Sequence, residues 1–126
     1  MLRVFLLEPK ADLRRALEEV LRAEGYGVEP CDSLQDLVER NAADGCDLAL
    51  TAWQSLQGLL ADERRRDLAQ LAAHMPMVIM LPRSWLKVLQ PLDLPVRGLL
   101  AKPFDAEELL ECVSRSIGPT QASPVA

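Results

Sequence analysis

Short apolar runs of four to six residues alternate along this chain with amphipathic stretches of ten or more, and this alternation constrains the fold more than any other feature. Residues 2–7 (LRVFLL), 26–29 (YGVE), 46–51 (CDLALT), 77–81 (MVIML) and 96–101 (VRGLLA) read as strands. Several are apolar at successive positions, a pattern that suits strands covered on both faces. Between the first two, residues 12–24 place Leu13, Ala16, Leu17, Val20 and Leu21 on one helical face, and Gly25 ends the helix. Ser33, with Asp36 three residues on, predicts an N-cap for a helix carrying Leu34, Leu37 and Val38. Residues 59–73 repeat Leu60, Leu68, Leu71 and Ala72 at helical spacing, and residues 105–117 form a last helix with Asp105 as N-cap and Gly118 as stop. The segment 83–94 is bracketed by Pro82, Pro91 and Pro95, which leaves room for at most about two and a half helical turns, the rest being 3₁₀ helix or loop.

Five strand–helix units in succession predict an α/β fold, a doubly wound five-stranded parallel sheet with right-handed crossovers and a short or irregular fourth helix. Residues 1–117 are expected to form one domain, and 118–126 (GPTQASPVA) a flexible tail or linker. Such sheets bind ligands at the carboxyl ends of their strands. The residues there are Glu8 and Pro9, Ala52 and Trp53, Leu81 and Pro82, and Lys102 and Pro103.

Composition narrows the functions available to these strand ends. A chain of 126 residues buries enough surface to hold a core without disulfides or metal. Nineteen acidic and fourteen basic residues give a net charge of −5, which argues against direct nucleic-acid binding and against anionic membrane surfaces. No apolar run approaches the ~20 residues of a membrane span, and the expected location is the cytoplasm. A single histidine, His74, cannot build a metal cluster or proton relay; it is expected at a helix C-terminus, beside the dipole. Cys31, Cys46 and Cys112 lack Cys-x-x-Cys spacing and read as small buried apolar residues. The run Arg64–Arg66 is flanked by Asp62, Glu63 and Asp67 and spreads around a helix, so it reads as a solvated face. No glycine-rich phosphate loop and no nucleophile with an adjacent base is present, so neither an enzyme nor a bound cofactor is expected.

The strand leading into Glu8-Pro9, the CDLAL strand, the strand opened by Pro76, and above all LLAKPFDAEELL with its Lys102-Pro103-Phe104 step resemble bacterial response-regulator receiver domains over about residues 2–117. The resemblance implies a flavodoxin-like (βα)5 receiver fold and a Lys-Pro peptide that is cis. It also implies phosphoryl transfer to an aspartate after strand three. Two acidic residues after strand one help to hold Mg²⁺, and a hydroxyl after strand four and a lysine after strand five bind phosphoryl oxygens. Mapped onto this chain, Glu8 takes the first acidic position and Pro9 the second. Ala52 stands where the acceptor would be, Leu81 or Pro82 where the hydroxyl would be, and Lys102 is kept. Alanine cannot accept a phosphoryl group, and one carboxylate is a poor site for an octahedral Mg²⁺. Thr51 is expected to point to the opposite side of the strand from residue 52, and neither it nor Ser55 has a base beside it.

Glu8 and Lys102 then form either a salt bridge that neutralises a leftover lysine or a residual site for an anion or metal. The family's aromatic switch position is Leu99 here, and the loop after strand three departs from the pattern at Ser55-Leu56 and Gly58. These residues predict a degenerate pseudo-receiver that works without phosphorylation, through a protein partner or as a homodimer. The expected face is the fourth helix, fifth strand and fifth helix. Trp85, Leu86, Val88 and Leu89 are its candidate contacts, Trp85 being either an interface anchor or a core residue. Trp53 is expected as a lid over the vacated pocket. The alternative is a sensor of small anionic ligands using the space around Glu8, Pro9, Ala52 and Lys102.

Overall fold

The computed structural model describes residues 2–53, 61–92 and 94–117. The expected features at Ser55-Leu56, Gly58, Gly118 and the tail lie outside them. Five strands, β1 (Arg3–Leu7), β2 (Gly27–Pro30), β3 (Leu48–Ala52), β4 (Met77–Pro82) and β5 (Gly98–Lys102), alternate with five helices. The helices are α1 (Ala11–Ala23), α2 (Leu34–Asp44), α3 (Asp62–Ala72), α4 (Leu86–Leu89) and α5 (Ala106–Ile117). All strand pairs are parallel, in the order β2-β1-β3-β4-β5.

The sheet divides two cores according to residue parity. Val4, Leu6, Leu50, Val78, Met80 and Leu100 face α1 and α5, packing on Leu17, Leu21, Leu109, Val113 and Ile117. Phe5, Ala49, Ile79 and Leu81 face the other side, against Leu37 of α2, Leu68 of α3 and Leu89 of α4. β3 and β4 lie inside the sheet with both faces covered, which is why their sequences are apolar at every position but Thr51. Each leucine so buried contributes about 1.5–3 kcal/mol of transfer free energy. β2 lies at one edge and ends on Pro30, where a missing ladder donor costs little.

Local signals set the helix ends. Ser33 Oγ accepts from the Asp36 amide at 3.0 Å, the N-cap expected for α2. Asp105 caps α5: its Oδ1 accepts from the Glu108 amide at 2.8 Å, and the Glu108 carboxylate accepts from the Asp105 amide at 3.2 Å. Gly25 ends α1 at φ +97°, with its own amide donating to Arg22 O and that of Tyr26 to Leu21 O, the paired bonds of a left-handed glycine stop. The proline-bracketed segment is one turn of 3₁₀ helix (Arg83–Trp85), the single turn of α4, and a second 3₁₀ turn (Gln90–Leu92).

Packing corrects several expected helix faces. Ala16 is exposed on α1 and Val38 is 38% exposed on α2, because each helix buries a stripe narrower than its apolar residues span. Strand boundaries move by one or two residues; β3 runs to Ala52 and β5 to Lys102. No helix among the described residues is long and apolar enough to cross a membrane.

Candidate functional site at the strand ends

Glu8 directly follows β1, in step with Leu6 on the α1/α5 side of the sheet, and Lys102 ends β5 in step with Leu100. The two side chains meet: Lys102 Nζ donates to Glu8 Oε1 at 2.6 Å. Glu8 is 1% exposed, whereas the lysine side chain remains 26% exposed. The second carboxylate oxygen accepts from the Lys10 amide at 3.1 Å, at the entry to α1, and Arg14 donates to the Glu8 carbonyl at 3.1 Å. Both carboxylate oxygens are therefore engaged within the protein. The buried ion pair has the hydrogen bonds that such a pair needs to offset desolvation.

The register places the rest of the site. Leu7 pairs with Thr51, so Glu8 lies level with Ala52, whose methyl group packs against the α1/α5 core. Pro82 pairs with Lys102 and is exposed. Leu81, by contrast, is wholly buried on the opposite side among Phe5, Ile79 and Leu89. By parity Pro82 lies on the Glu8–Lys102 side of the sheet and Leu81 on the opposite side. Pro9, just past Glu8, is exposed and offers no side-chain donor or acceptor. Lys102-Pro103 is a cis peptide, as the resemblance implied.

Thr51 does point away from residue 52. It is fully buried, and its hydroxyl donates to the Val78 carbonyl at 3.3 Å while accepting from the Trp53 indole N–H at 3.3 Å. Trp53 is half-buried against the α2–α4 core. The expected lid over the Ala52 side is thus corrected: the bond to Thr51 holds the indole on the other side of β3. Leu99, expected at the family's switch position, packs half-buried against that same core.

The outer face departs from the expected contact set. Leu89 is fully buried, and Trp85 and Leu86 are half-buried on the α2–α4 core, so they support α4 more than they present it. Val88 alone of the four is an exposed apolar residue, at 44%. Between α4 and α5, along β5, a groove of about 300 Å³ is lined by Leu86, Leu99 and Ala101, with Arg83, Glu108, Glu111 and Arg115 also on its walls. Arg83 also donates to the Pro103 carbonyl at 3.1 Å, a contact between the 3₁₀ turn after β4 and the loop after β5 that no sequence spacing announces.

Burial pushes the Cys31 and Cys46 thiols up to about 11 and raises that of Cys112, which suits unreactive packing residues, although Cys46 is only half-buried. Arg64 and Arg66 are exposed, and Arg65 pairs with Asp62 one turn away. His74 is exposed just beyond α3. Among the described residues, no group of three His, Cys, Asp or Glu side chains is placed to hold a metal ion.

No protein-family model and no curated protein matches the chain. Solved structures do. A response-regulator receiver domain protein from Clostridium thermocellum superimposes with a TM-score of 0.75 at 13% identity, over 96% of this chain and 98% of that one. The non-phosphorylated HemR receiver domain of Leptospira biflexa gives 0.74 at 19% identity, over 97% and 98%. The chemotaxis response regulator CheY4 of Vibrio cholerae gives 0.72 at 17%, over 92% and 98%. With the strand order, the helices between the strands and the lysine-proline step on one scaffold, this chain has the fold of response-regulator receiver domains.

Proposed function

We propose that this chain is a phosphorylation-independent, receiver-like regulatory module that acts by binding protein in bacterial signal transduction or transcriptional control, not as an enzyme. The carrying observation is Ala52 at the end of β3, level with a Glu8 whose carboxylate is already committed to Lys102 and to the Lys10 amide. A methyl group offers no nucleophilic oxygen, and Pro9 and Pro82 add no ligand for a cation or phosphoryl group. The likeness to receiver domains supports the signalling role. The face formed by α4, β5 and α5 is the docking surface of this reading. It offers Val88 as an apolar contact and a groove whose walls carry two arginines and two glutamates, charges of both signs for a second copy to meet under two-fold symmetry.

The test is amide NMR of the chain with Mg²⁺ and either acetyl phosphate or beryllofluoride. Resonances of residues 8, 52 and 102 are expected to stay in place. Saturable, Mg²⁺-dependent shifts there would refute the reading. Sedimentation over a concentration series then addresses the docking face: Val88→Asp is expected to weaken self-association while leaving the circular dichroism spectrum unchanged.

A further inference from the structure

We propose that the groove between α2 and α3 is a second docking site, for an amphipathic helix of a partner protein that carries leucine-like side chains on one face and a lysine or arginine beside them. It lies apart from the α4–β5–α5 face and goes beyond the reading above. The groove is open to solvent and has a volume of about 680 Å³, within the ~300–1,000 Å³ of sites that bury a ligand-sized apolar body. α2 and α3 are each anchored to the sheet, through the fully buried Leu37 and Leu68. Above these anchors, Leu34 and Val38, one turn apart on α2, line one wall of the groove, and Leu71 of α3 lines the other. Leu34 and Leu71 are rooted in the core below, whereas Val38 is 38% exposed.

The charges around the groove select its occupant. On α2, Asp36 and Arg40 pair at 3.1 Å and Arg40 reaches Glu29 of β2 at 3.6 Å, so the ion pairs of that helix lie towards β2. Its groove side is left apolar but for Gln35, whose amide donates to Glu39 at 3.2 Å. On α3, Arg65 pairs with Asp62, and Arg64 and Arg66 do not line the groove. Asp67, Gln70 and His74 do line it, at helical spacing and all exposed, and their side chains have no partner among the described residues. The groove therefore has an apolar floor and, along one side, a polar rim whose single formal charge is an unpaired carboxylate. A helix laid between α2 and α3 packs its apolar face on Leu34, Val38 and Leu71, the helix-in-groove mode of recognition. A basic residue beside that face meets Asp67, and Gln70 can both donate and accept at the rim. An acidic helix sets like charges together there, and the net charge of −5 acts in the same direction.

The test is a titration of the full chain, followed by its amide resonances, with a synthetic leucine–lysine amphipathic helical peptide and with its leucine–glutamate counterpart. Saturable shifts are expected at residues 34, 35, 38, 70, 71 and 74 with the first peptide, and the second is expected to bind about tenfold more weakly or not at all. Asp67→Asn is expected to weaken the leucine–lysine peptide about threefold, the scale of one exposed ion pair. Val38→Asp is expected to weaken it about tenfold or more, with the circular dichroism spectrum of both variants unchanged. Shifts at the α4–β5–α5 face instead, equal affinity for the two peptides, or unchanged affinity in either folded variant would overturn the proposal. So would a rival occupant. Groove resonances that move with chain concentration in the absence of peptide assign the groove to a second copy, and nuclear Overhauser contacts from it to residues 119–125 assign it to the chain's own tail. Should Val38→Asp not fold, Asp67→Asn and the comparison of the two peptides decide the matter.

Discussion

Replacing Lys102 with methionine isolates the energetics of the buried pair. The substitution keeps most of the aliphatic stem and removes the cation 2.6 Å from a carboxylate that is 1% exposed. Glu8 would then retain the Lys10 amide as its hydrogen-bond donor, at 3.1 Å. Removing one member of a fully buried pair costs about 3–5 kcal/mol. The lysine side chain is 26% exposed, so water recovers part of that loss, and about 2–3 kcal/mol is expected. A pair open to solvent on both sides would lose only about 0–1 kcal/mol. Urea unfolding at pH 7 distinguishes these values, and for a domain of this size each kcal/mol also lowers the thermal midpoint by roughly 3–5 °C. The companion Glu8→Gln/Lys102→Met removes both charges but keeps an acceptor for the Lys10 amide, and should recover to within about 1 kcal/mol of wild type. A loss below about 0.5 kcal/mol in Lys102→Met, or no recovery in the double variant, would refute a buried, mutually dependent pair.

Three further outcomes follow from local geometry. Ser33→Ala removes the acceptor of the Asp36 amide and should destabilise the fold by about 0.5–2 kcal/mol, measured by the same unfolding assay. Gly98 has no positive φ, and a Cβ there would meet Cys112 Sγ and Ser116 Oγ at 3.5 Å, an ordinary contact; Gly98→Ala should leave the fold intact or stabilise it, whereas Gly25→Ala, at φ +97°, should destabilise it by about 1 kcal/mol or more. The thiols of Cys31 and Cys46, held neutral by burial up to about 11, bind protons in the folded chain that the unfolded chain has released above its value near 9. Stability should therefore fall as pH rises from 9 towards 11, and Cys31→Ala should flatten part of that slope; an unchanged slope would contradict the burial of the thiol.

The elements themselves were legible because they rest on local rules. Apolar runs marked β3 and β4, Ser33 and Asp105 marked helix starts, and three prolines limited α4 to a fragment. Strand ends were displaced because ladder pairing, a contact with another strand, decides where a strand stops: Lys102 belongs to β5 through its pairing with Pro82. Ala16 and Val38 were misplaced because helical spacing identifies an apolar face but not how much of it the neighbouring layer covers.

The same division runs through the site. The identities of Glu8, Pro9, Ala52, Pro82 and Lys102 follow from the residue order alone, and with them the loss of an acceptor oxygen, since chemistry at a position needs only the side chain that stands there. Whether Glu8 and Lys102 touch, which of Leu81 and Pro82 lies on their side of the sheet, and that Arg83 reaches Pro103 depend on contacts between segments 20 to 94 positions apart. Those were set by sheet order, register and parity. They lie beyond any local pattern because a sequence fixes side-chain chemistry residue by residue, whereas proximity between distant segments exists only after the layers have packed.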